Sequence, residues 1–251
     1  MEQTLLTDQD NAIVFADEGT AHREWFQALA DRANRDLLAA GFPECPGGYM
    51  ARRWLGPLSE WRERFTGWTN VPSPKALLEA SIFFDFRRVH GELGLGPLED
   101  VLAASRGKVP FLRLMAAGAL EFHPPPMLLL RLKGGSSVVD LKRHGISPVV
   151  FLARTLALSV GSPARGTLER LAAAAHEGGM DADHVGTIGE AYRFVVGLRL
   201  RLQLRQLQAG EAPVNAVRLS DLSAIERSRL KDSLHAIKAW QEQAAYQFQT
   251  G

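Results

Sequence analysis

The chain has 251 residues, of which 29 are Lys or Arg and 28 are Asp or Glu, so its net charge is +1. This near balance provides no general electrostatic attraction for nucleic acid, and we expect no DNA partner. Hydrophobic residues make up 46% of the sequence, which argues against disorder and supports one large domain or two of ordinary size.

The sequence also indicates the compartment. The single cysteine, Cys45, excludes an internal disulfide and fits a reducing environment. No apolar run approaches the ~18 residues that cross a bilayer, so we expect no membrane contact. Residues 1–3 lack the basic and apolar regions of a signal peptide. We therefore expect a cytoplasmic protein.

Two aspartates one residue apart, Asp8 and Asp10, precede an apolar run at residues 12–15 that is typical of a buried strand. Side chains alternate along a strand, so we expect both acids on one face at the edge of a sheet. Carboxylates that close repel unless a cation lies between them or one is protonated. Mg²⁺ prefers such oxygens and leaves room for substrate phosphates. The alternative is a solvated turn before a strand, since Asp and Asn are common in turns.

Two helices are predicted next. The first runs from Thr20, as its N-cap, to about Ala40, and Gly41 ends it. Its predicted apolar face consists of Trp25, Phe26, Leu29, Ala33, Leu37 and Leu38. The second helix, around residues 59–68, carries an aromatic stripe at i, i+4 and i+7, formed by Trp61, Phe65 and Trp68. Such a stripe is more often core than a platform for stacking bases.

A further acid, Asp85, lies among phenylalanines in residues 80–89, whose aromatic and branched side chains predict a strand. A short helix that opens at Ser73–Pro74 would lead into it. A carboxylate in so apolar a setting is costly to bury unless it is paired or bound to a metal. One alternative is therefore an ion pair with Arg87 on the same face. The other is a metal site in which Asp85 joins the two earlier aspartates.

Helical patterns dominate beyond about residue 92. Residues 138–142 predict a brief extended piece, and Gly134–Gly135 predicts a turn. The predicted helices cover residues 148–159, 167–175, 181–208, and the stretch from the capping box at 223–226 to about 248. Residues 198–205 alternate like a strand, but each is a strong helix former, so we predict a buried helix there. Its arginines would extend to solvent or form a basic surface.

Together these segments resemble a family of putative nucleotidyltransferases that is related to the protein-PII uridylyltransferases. In longer proteins that family often lies behind CBS and cyclic-nucleotide-binding domains. The likeness is carried, in chain order, by residues 2–5, 7–12, 45–48 with 50–51, 82–87, 140–142, 153–158, 167–171 and 222–227. It covers nearly the whole chain, and the pieces Thr7–Asn11 and Phe83–Arg87 are fairly specific.

The resemblance implies an α+β fold. A truncated, polymerase-beta-like nucleotidyltransferase α/β domain over residues 1–105 would precede an α-helical bundle domain for substrate binding over residues 106–251. It implies that Asp8, Asp10 and Asp85 are catalytic acids that bind Mg²⁺ or Mn²⁺. The reaction would transfer a nucleoside monophosphate from a nucleoside triphosphate to a protein, as in PII uridylylation, or to a small-molecule acceptor. A homodimer is a possible assembly.

Two basic residues of the helical half are our candidates for substrate binding. Lys142 follows the apolar extended piece, and Arg154 interrupts an apolar helix. If this half binds substrate, we expect both to face the acids across the domain junction. The alternative for each is a surface charge on a helical bundle, which contributes little to stability.

The chain departs from the family pattern in one place. That pattern has a Gly-Ser loop and a Gly-Arg pair just upstream of residues 2–4, and backbone N–H groups of such a loop hold a triphosphate. This sequence begins at Met1 without them. A second hypothesis is therefore a catalytically incomplete regulatory module that binds a nucleotide or a partner. A metal-dependent phosphatase or nuclease is a third, which the histidines do not favour, since they form no HExxH or HD pattern.

Overall fold

The structure is a computed structural model that describes residue 5 and residues 7–125, 137–177 and 180–250. The predicted α+β class is confirmed, with short strands near the start and a helical C-terminal part. The chain divides into two compact units, Leu6–Ala104 and Ser105–Gly251. The turn predicted at Gly134–Gly135 lies outside the described residues. Within the described part of the chain, every helix is too short or too polar to cross a membrane.

The first unit contains a small parallel sheet. Strand β1 (Ile13–Phe15) pairs with strand β2 (Leu55–Pro57), so that Ile13 lies opposite Leu55. A 3-10 turn (Asp17–His22) and helix α1 (Arg23–Ala39) follow β1 and lie before β2 in the chain. Parallel strands cannot be joined by a tight hairpin, and α1 supplies the crossover connection that they require.

Helix α1 begins later than predicted and buries a different face. The Thr20 hydroxyl donates to the Asp17 carbonyl within the 3-10 turn, at 2.7 Å, and does not cap α1. Trp25, expected in the core, is 62% exposed, whereas Asn34 is buried. The Asn34 side chain faces inward because its amide forms hydrogen bonds to polar groups of the neighbouring loops, and this face of the helix does not pack against an apolar layer. Gly41 follows the helix with a φ of +95°, as its predicted role as a stop requires.

Aromatic rings fill much of the core of the first unit, where helices α2 (Leu58–Asn70), α3 (Pro74–Phe83) and α4 (Gly96–Ala104) follow β2. The predicted stripe on α2 is buried, so its interpretation as core is confirmed. The rings in mutual contact include Trp54, Trp61, Phe65, Trp68, Phe83 and Phe84. Such pairs contribute about 0.5–1.5 kcal/mol each beyond area burial.

The prediction of a strand over residues 80–89 was wrong. Helix α3 continues to Phe83, and Asp85 lies in the turn that follows. The helix starts where the sequence predicts, because the Ser73 hydroxyl accepts a hydrogen bond from the Ala76 N–H at 3.2 Å. Aromatic residues favour strands by propensity, but here the ring cluster buries Phe83 at the end of a helix. Tertiary packing therefore outweighs the local preference.

Five helices form most of the second unit: α5 (Val109–Leu120), α6 (Ser147–Ser159), α7 (Thr167–His176), α8 (Ala182–Gln208) and α9 (Ala224–Gln247). The last four match the predicted helices, and each end lies within one residue of its predicted position. The capping box of α9 is present, since Ser223 Oγ accepts from the Glu226 N–H at 3.2 Å and the Glu226 carboxylate accepts from the Ser223 N–H at 3.1 Å. The core between these helices is largely aliphatic and includes Leu152, Leu156, Leu171, Ile188 and Ile237.

A ribbon and a π-helical turn interrupt these helices. Strand β3 (Val138–Asp140) pairs antiparallel with strand β4 (Ala216–Arg218). The extended piece predicted over residues 138–142 ends at Asp140, because Lys142–Ile146 forms a π-helical turn that leads into α6. Gly145 lets this turn approach α8 closely. A Cβ atom on Gly145 would lie only 2.8 Å from Val195 Cγ1.

The alternating stretch at residues 198–205 is helical, as predicted, but it is buried only in part. Arg199 is buried, and its Nε donates to Asn215 Oδ1 at 2.7 Å. Arg201 and Arg205 are exposed, and Leu204 on the same helix is 43% exposed. One arginine of the stretch is therefore part of a buried polar cluster, and two lie in solvent.

Candidate functional site

Gln9 fixes the segment that carries the two predicted acids. Its side chain is buried, and Nε2 donates to the carbonyl oxygens of Phe42 at 2.9 Å and Asn34 at 3.2 Å. Its backbone N–H donates to the Pro43 carbonyl at 3.0 Å, beside an isolated parallel bridge to Glu44. The backbone is therefore extended at Gln9, with the amide directed into the unit.

Asn34 on α1 connects this segment to a second loop. Its Nδ2 donates to Gln9 Oε1 at 3.0 Å and to Asn11 Oδ1 at 2.9 Å, while its Oδ1 accepts from the Arg52 N–H at 3.1 Å. Asn11 Oδ1 also accepts from the Ala51 N–H at 2.7 Å. A connected network of this kind satisfies buried polar groups and holds irregular backbone in one geometry.

Asp8 and Asp10 lie on the opposite face of the segment from Gln9. Side chains alternate along extended backbone, and the exposure follows that alternation: Asp8 is half-buried, Gln9 is buried and Asp10 is exposed. This arrangement agrees with the shared face that the i, i+2 spacing predicts. Within the described residues the segment pairs like a strand only at Gln9, because β1 begins at Ile13.

The thiol of Cys45 lies beside Asp10. Burial is the main cause that raises the pKa of Cys45, and the hydrogen bond to the Asp10 carboxylate raises it further. The backbone N–H groups of Tyr49 and Gly47 act in the opposite direction but do not outweigh these causes. The thiol is therefore protonated at neutral pH and donates to Asp10, which agrees with a structural rather than nucleophilic cysteine.

Tyr49 lies near two acids, Asp10 and Glu79. Burial raises the pKa of Tyr49, and the negative charge of Glu79, followed by those of the Cys45 thiolate and Asp10, raises it further. Glu79 is on α3, where it accepts a hydrogen bond from Trp68 Nε1 at 2.8 Å. The tyrosine is therefore a neutral phenol at physiological pH, able to donate a hydrogen bond at this place.

A glycine turn follows Cys45. Gly48 has a φ of +72°, and its N–H donates to the Cys45 carbonyl at 2.9 Å. A Cβ atom on Gly48 would lie 2.6 Å from Arg53 Nη1, and one on Gly47 would lie 2.6 Å from the Tyr49 ring. Both glycines thus allow side chains to lie directly against the turn.

Asp85 is half-buried in the turn after α3. The predicted arrangement of three acids on adjacent strands does not form, because Asp85 follows a helix. In the described ranges, no three His, Cys, Asp or Glu side chains lie close enough together to hold a metal ion. The assignment of Asp8, Asp10 and Asp85 to metal binding stays a prediction.

The two basic candidates belong to the second unit. Lys142 is exposed at the start of the π-helical turn. Arg154 is buried on α6, and its guanidinium carbon lies 5.1 Å from the centroid of the Phe151 ring. A contact of that type contributes about 0.5–2 kcal/mol. Their roles in substrate binding stay predictions.

A polar cluster lies where the β3–β4 ribbon meets α8. Asp140 Oδ1 accepts from the Arg143 N–H at 2.8 Å, and the charge of Asp140 attracts Arg199. Asn215 Oδ1 accepts from Arg199 Nε at 2.7 Å and from Gln203 Nε2 at 3.2 Å. Burial lowers the pKa of Arg199, and the charge of Asp140 acts against that change. The guanidinium therefore remains charged inside the unit.

His144 lies one helical turn beyond Asp140. Burial lowers the pKa of His144, the charge of Asp140 opposes this, and the charge of Arg143 adds to it. Among the described residues, its buried Nδ1 has no hydrogen-bond partner. The imidazole is therefore neutral at physiological pH.

Three residues of the first unit that border this site belong to no motif recognised in the sequence: Asn34, Glu79 and Arg53. Asn34 had a detectable signal, because it falls on the same helical face as Ala30 and Leu37, at i, i+4 and i+7, where a polar residue is unexpected. Glu79 and Arg53 had none, since each looks like an ordinary surface charge until the fold brings it beside Tyr49 or the glycine turn.

Comparison with protein families gives two matches. Residues 110–248, more than half of the chain, match a family described as the putative nucleotidyltransferase substrate binding domain. Residues 1–75 match a family described as a putative nucleotidyltransferase. The resemblance seen in the sequence is therefore confirmed. No curated protein matches the chain.

Proposed function

The chain belongs to the family of putative nucleotidyltransferases that carries this substrate binding domain, and we propose that it is a metal-dependent nucleotidyltransferase. In this proposal an acceptor attacks the α-phosphate of a nucleoside triphosphate in line, a new phosphate ester forms, and pyrophosphate leaves. The acceptor is a protein, as in PII uridylylation, or a small molecule.

The observation that carries this proposal is the inward anchoring of Gln9. Its buried amide is bonded to Phe42 and Asn34. Because side chains alternate along extended backbone, Asp8 and Asp10 are then expected on the opposite face. Two carboxylates on one face repel each other in the absence of a cation. A protein that holds them there by a buried network is suited to binding one.

The donor set fits a hard divalent cation. Mg²⁺ is usually bound through one or two carboxylates together with substrate phosphates, so Asp8 and Asp10 are sufficient protein ligands for Mg²⁺ or Mn²⁺. When bound, the ion would neutralise the charge that develops on the transferred phosphoryl group. In this proposal Asp85, which does not form a three-acid cluster with Asp8 and Asp10 in the described part of the chain, accepts the proton of the attacking acceptor.

The neighbours of the two acids have roles that follow from their protonation. The Cys45 thiol donates to Asp10 and so orients its carboxylate. The neutral phenol of Tyr49 can donate to a phosphate or ribose oxygen. In the substrate binding domain, Lys142 and Arg154 are the proposed contacts of the acceptor, Lys142 directly from its exposed position.

The test measures the melting temperature against MgCl₂ in the presence of ATP, UTP, GTP or CTP. We compare the wild type with an Asp8→Asn, Asp10→Asn double variant. A control double variant, Asp31→Asn, Asp36→Asn, removes two acids from α1 in the same unit. Ligand at about 100 times its Kd should stabilise the wild type and the control by about 2.7 kcal/mol. The site variant should lose this response and, without metal, should be no less stable, because repulsion is relieved.

The response should also depend on pH. Protons compete with Mg²⁺ for carboxylate oxygens, so Mg²⁺ should stabilise the wild type less at about pH 4 than at neutral pH. An identical Mg²⁺ response in the wild type and the site variant would show that Asp8 and Asp10 do not hold the metal. Nucleotide binding without pyrophosphate release would favour a regulatory module instead.

A further inference from the structure

We propose that Arg53 binds the phosphates of the nucleotide, at the glycine turn that borders Asp10; this inference rests on the proposed function. This turn is formed by Cys45-Pro46-Gly47-Gly48, which carries part of the family resemblance. In the structure this turn lies between the carboxylate of Asp10 and the guanidinium of Arg53.

The first observation is the position of the guanidinium. Arg53 Nη1 would lie 2.6 Å from a Cβ atom on Gly48, so the side chain rests directly against bare backbone. Gly48 itself has a φ of +72°, which L side chains rarely adopt. The backbone conformation favours glycine at this position, and a side chain here would displace the Arg53 guanidinium from its place against the turn.

The second observation is the state of the charge. Arg53 is exposed, and the ion pairs between described residues do not include it. Its neighbour Arg52, by contrast, has Nη2 2.9 Å from the Glu44 carboxylate. Of these two adjacent arginines, Arg52 is paired with an acid, whereas Arg53 has no acidic partner among the described residues and can direct its charge to a ligand.

The third observation is what lies at the other end of the turn. The Gly48 N–H donates to the Cys45 carbonyl at 2.9 Å, and the Cys45 thiol bonds the Asp10 carboxylate. The turn therefore ties the acid of the proposed metal site to the surface on which Arg53 rests. A nucleoside triphosphate needs both partners, since metal-bound phosphate oxygens lie next to oxygens that a guanidinium can bind in a bidentate manner.

The experiment compares the wild type with Arg53→Ala, Arg53→Lys and the matched control Arg52→Ala. Binding of MgATP, MgGTP, MgUTP and MgCTP to the wild type is measured by calorimetry. The tightest of the four is then titrated into every variant, together with its monophosphate. Circular dichroism and melting curves check that each variant folds.

If Arg53 binds phosphate, Arg53→Ala should weaken triphosphate binding about ten-fold or more and weaken monophosphate binding less. Its affinity should also depend less on salt, because one phosphate contact is lost. Arg53→Lys should keep part of the affinity, and Arg52→Ala should bind like the wild type.

Two results would overturn the inference while leaving the proposed function in place. One is unchanged triphosphate affinity in Arg53→Ala, and the other is an equal loss in Arg53→Ala and Arg52→Ala. If the wild type binds none of the four nucleotides, the proposed function fails and the inference fails with it.

Discussion

The two units of this protein satisfy their backbone in different ways. In the second unit, long helices bond their own backbone and pack through aliphatic side chains such as Leu152 and Ile188. In the first unit, the segment around Gln9 pairs as a strand at one residue, and side-chain amides complete its hydrogen bonds. The side-chain hydrogen bonds around Asn34 do here what the backbone hydrogen bonds of regular secondary structure do elsewhere.

This difference explains why the candidate metal-binding and phosphate-binding groups lie in the first unit. Irregular backbone can present carboxylates, glycine N–H groups and a guanidinium at one place, which a regular helix face does not do as closely. In the second unit, the buried polar residues Arg199 and Gln203 belong to a regular helix and bond Asn215 beside the ribbon, while Arg154 is buried on another regular helix. Buried polar side chains complete the hydrogen bonds of a loop in the first unit, whereas in the second they extend from helices.

Removing one buried side-chain amide from each unit is the strongest test of this difference between the units. Asn34→Leu and Gln203→Met keep the side-chain volume roughly constant. Asn34→Leu should lower the free energy of unfolding by about 3 kcal/mol, because it removes the described partners of Gln9 Oε1 and of the Arg52 N–H. Gln203→Met should cost about 1 kcal/mol or less, because Gln203 Oε1 already lacks a partner among the described residues.

Urea denaturation of both variants measures these losses. In the first unit, Asn34→Leu should also weaken the Mg²⁺ response of the melting temperature, since Gln9 Oε1 would lose the hydrogen bond that it accepts from Asn34 Nδ2. Equal losses in the two variants would contradict the view that the first unit depends more on side-chain hydrogen bonds.

A smaller effect is expected where the second unit departs from regular helix. Gly145→Ala places a methyl group 2.8 Å from Val195 Cγ1 and should cost about 2 kcal/mol through overpacking. Gly186→Ala on α8 is the control, because nothing lies within 4 Å of its added Cβ. That substitution should stabilise the helix by about 0.5–1 kcal/mol.

Thermal and urea unfolding of both glycine variants provide the measurement. Adding Val195→Ala to Gly145→Ala should recover part of the loss, as expected for residues in direct contact. If the double variant is as unstable as the sum of the single ones, the close approach of the turn to α8 is not what Gly145 permits.

The smallest expected effect concerns the pH dependence of the second unit. Burial lowers the pKa of His144 in the folded protein, so below the ordinary histidine pKa of about 6.5 the unfolded state binds more protons. Stability should therefore fall as the pH falls from about 7 to 5. His144→Gln should reduce this dependence.

The exposed His176, whose Nδ1 lies 3.3 Å from the Glu177 carboxylate, provides the comparison. Urea unfolding of His144→Gln and His176→Gln across this pH range separates the two residues. A wild-type pH dependence in His144→Gln would show that other groups cause the loss of stability in acid.

The sequence by itself determined the elements whose signals are local. The helices of the second unit follow from apolar periodicity and from the Ser223–Glu226 capping box, and residues 198–205 follow from helix propensity. The i, i+2 spacing of Asp8 and Asp10 predicts a common face, because alternation is a property of any extended segment, and their role in metal binding stays a prediction. The family resemblance rests on the same short segments.

Only the tertiary structure decided the positions that depend on distant residues. Asn34 bonds Gln9 across 25 positions of sequence, and neither residue signals the other locally. The aromatic segment before Asp85 became the end of a helix because rings from α2 bury Phe83 there. Arg53 meets the glycine turn through a fold of the loop, which no spacing rule predicts. Local patterns encode caps and periodicity, whereas a site built from loops is defined by long-range hydrogen bonds and packing.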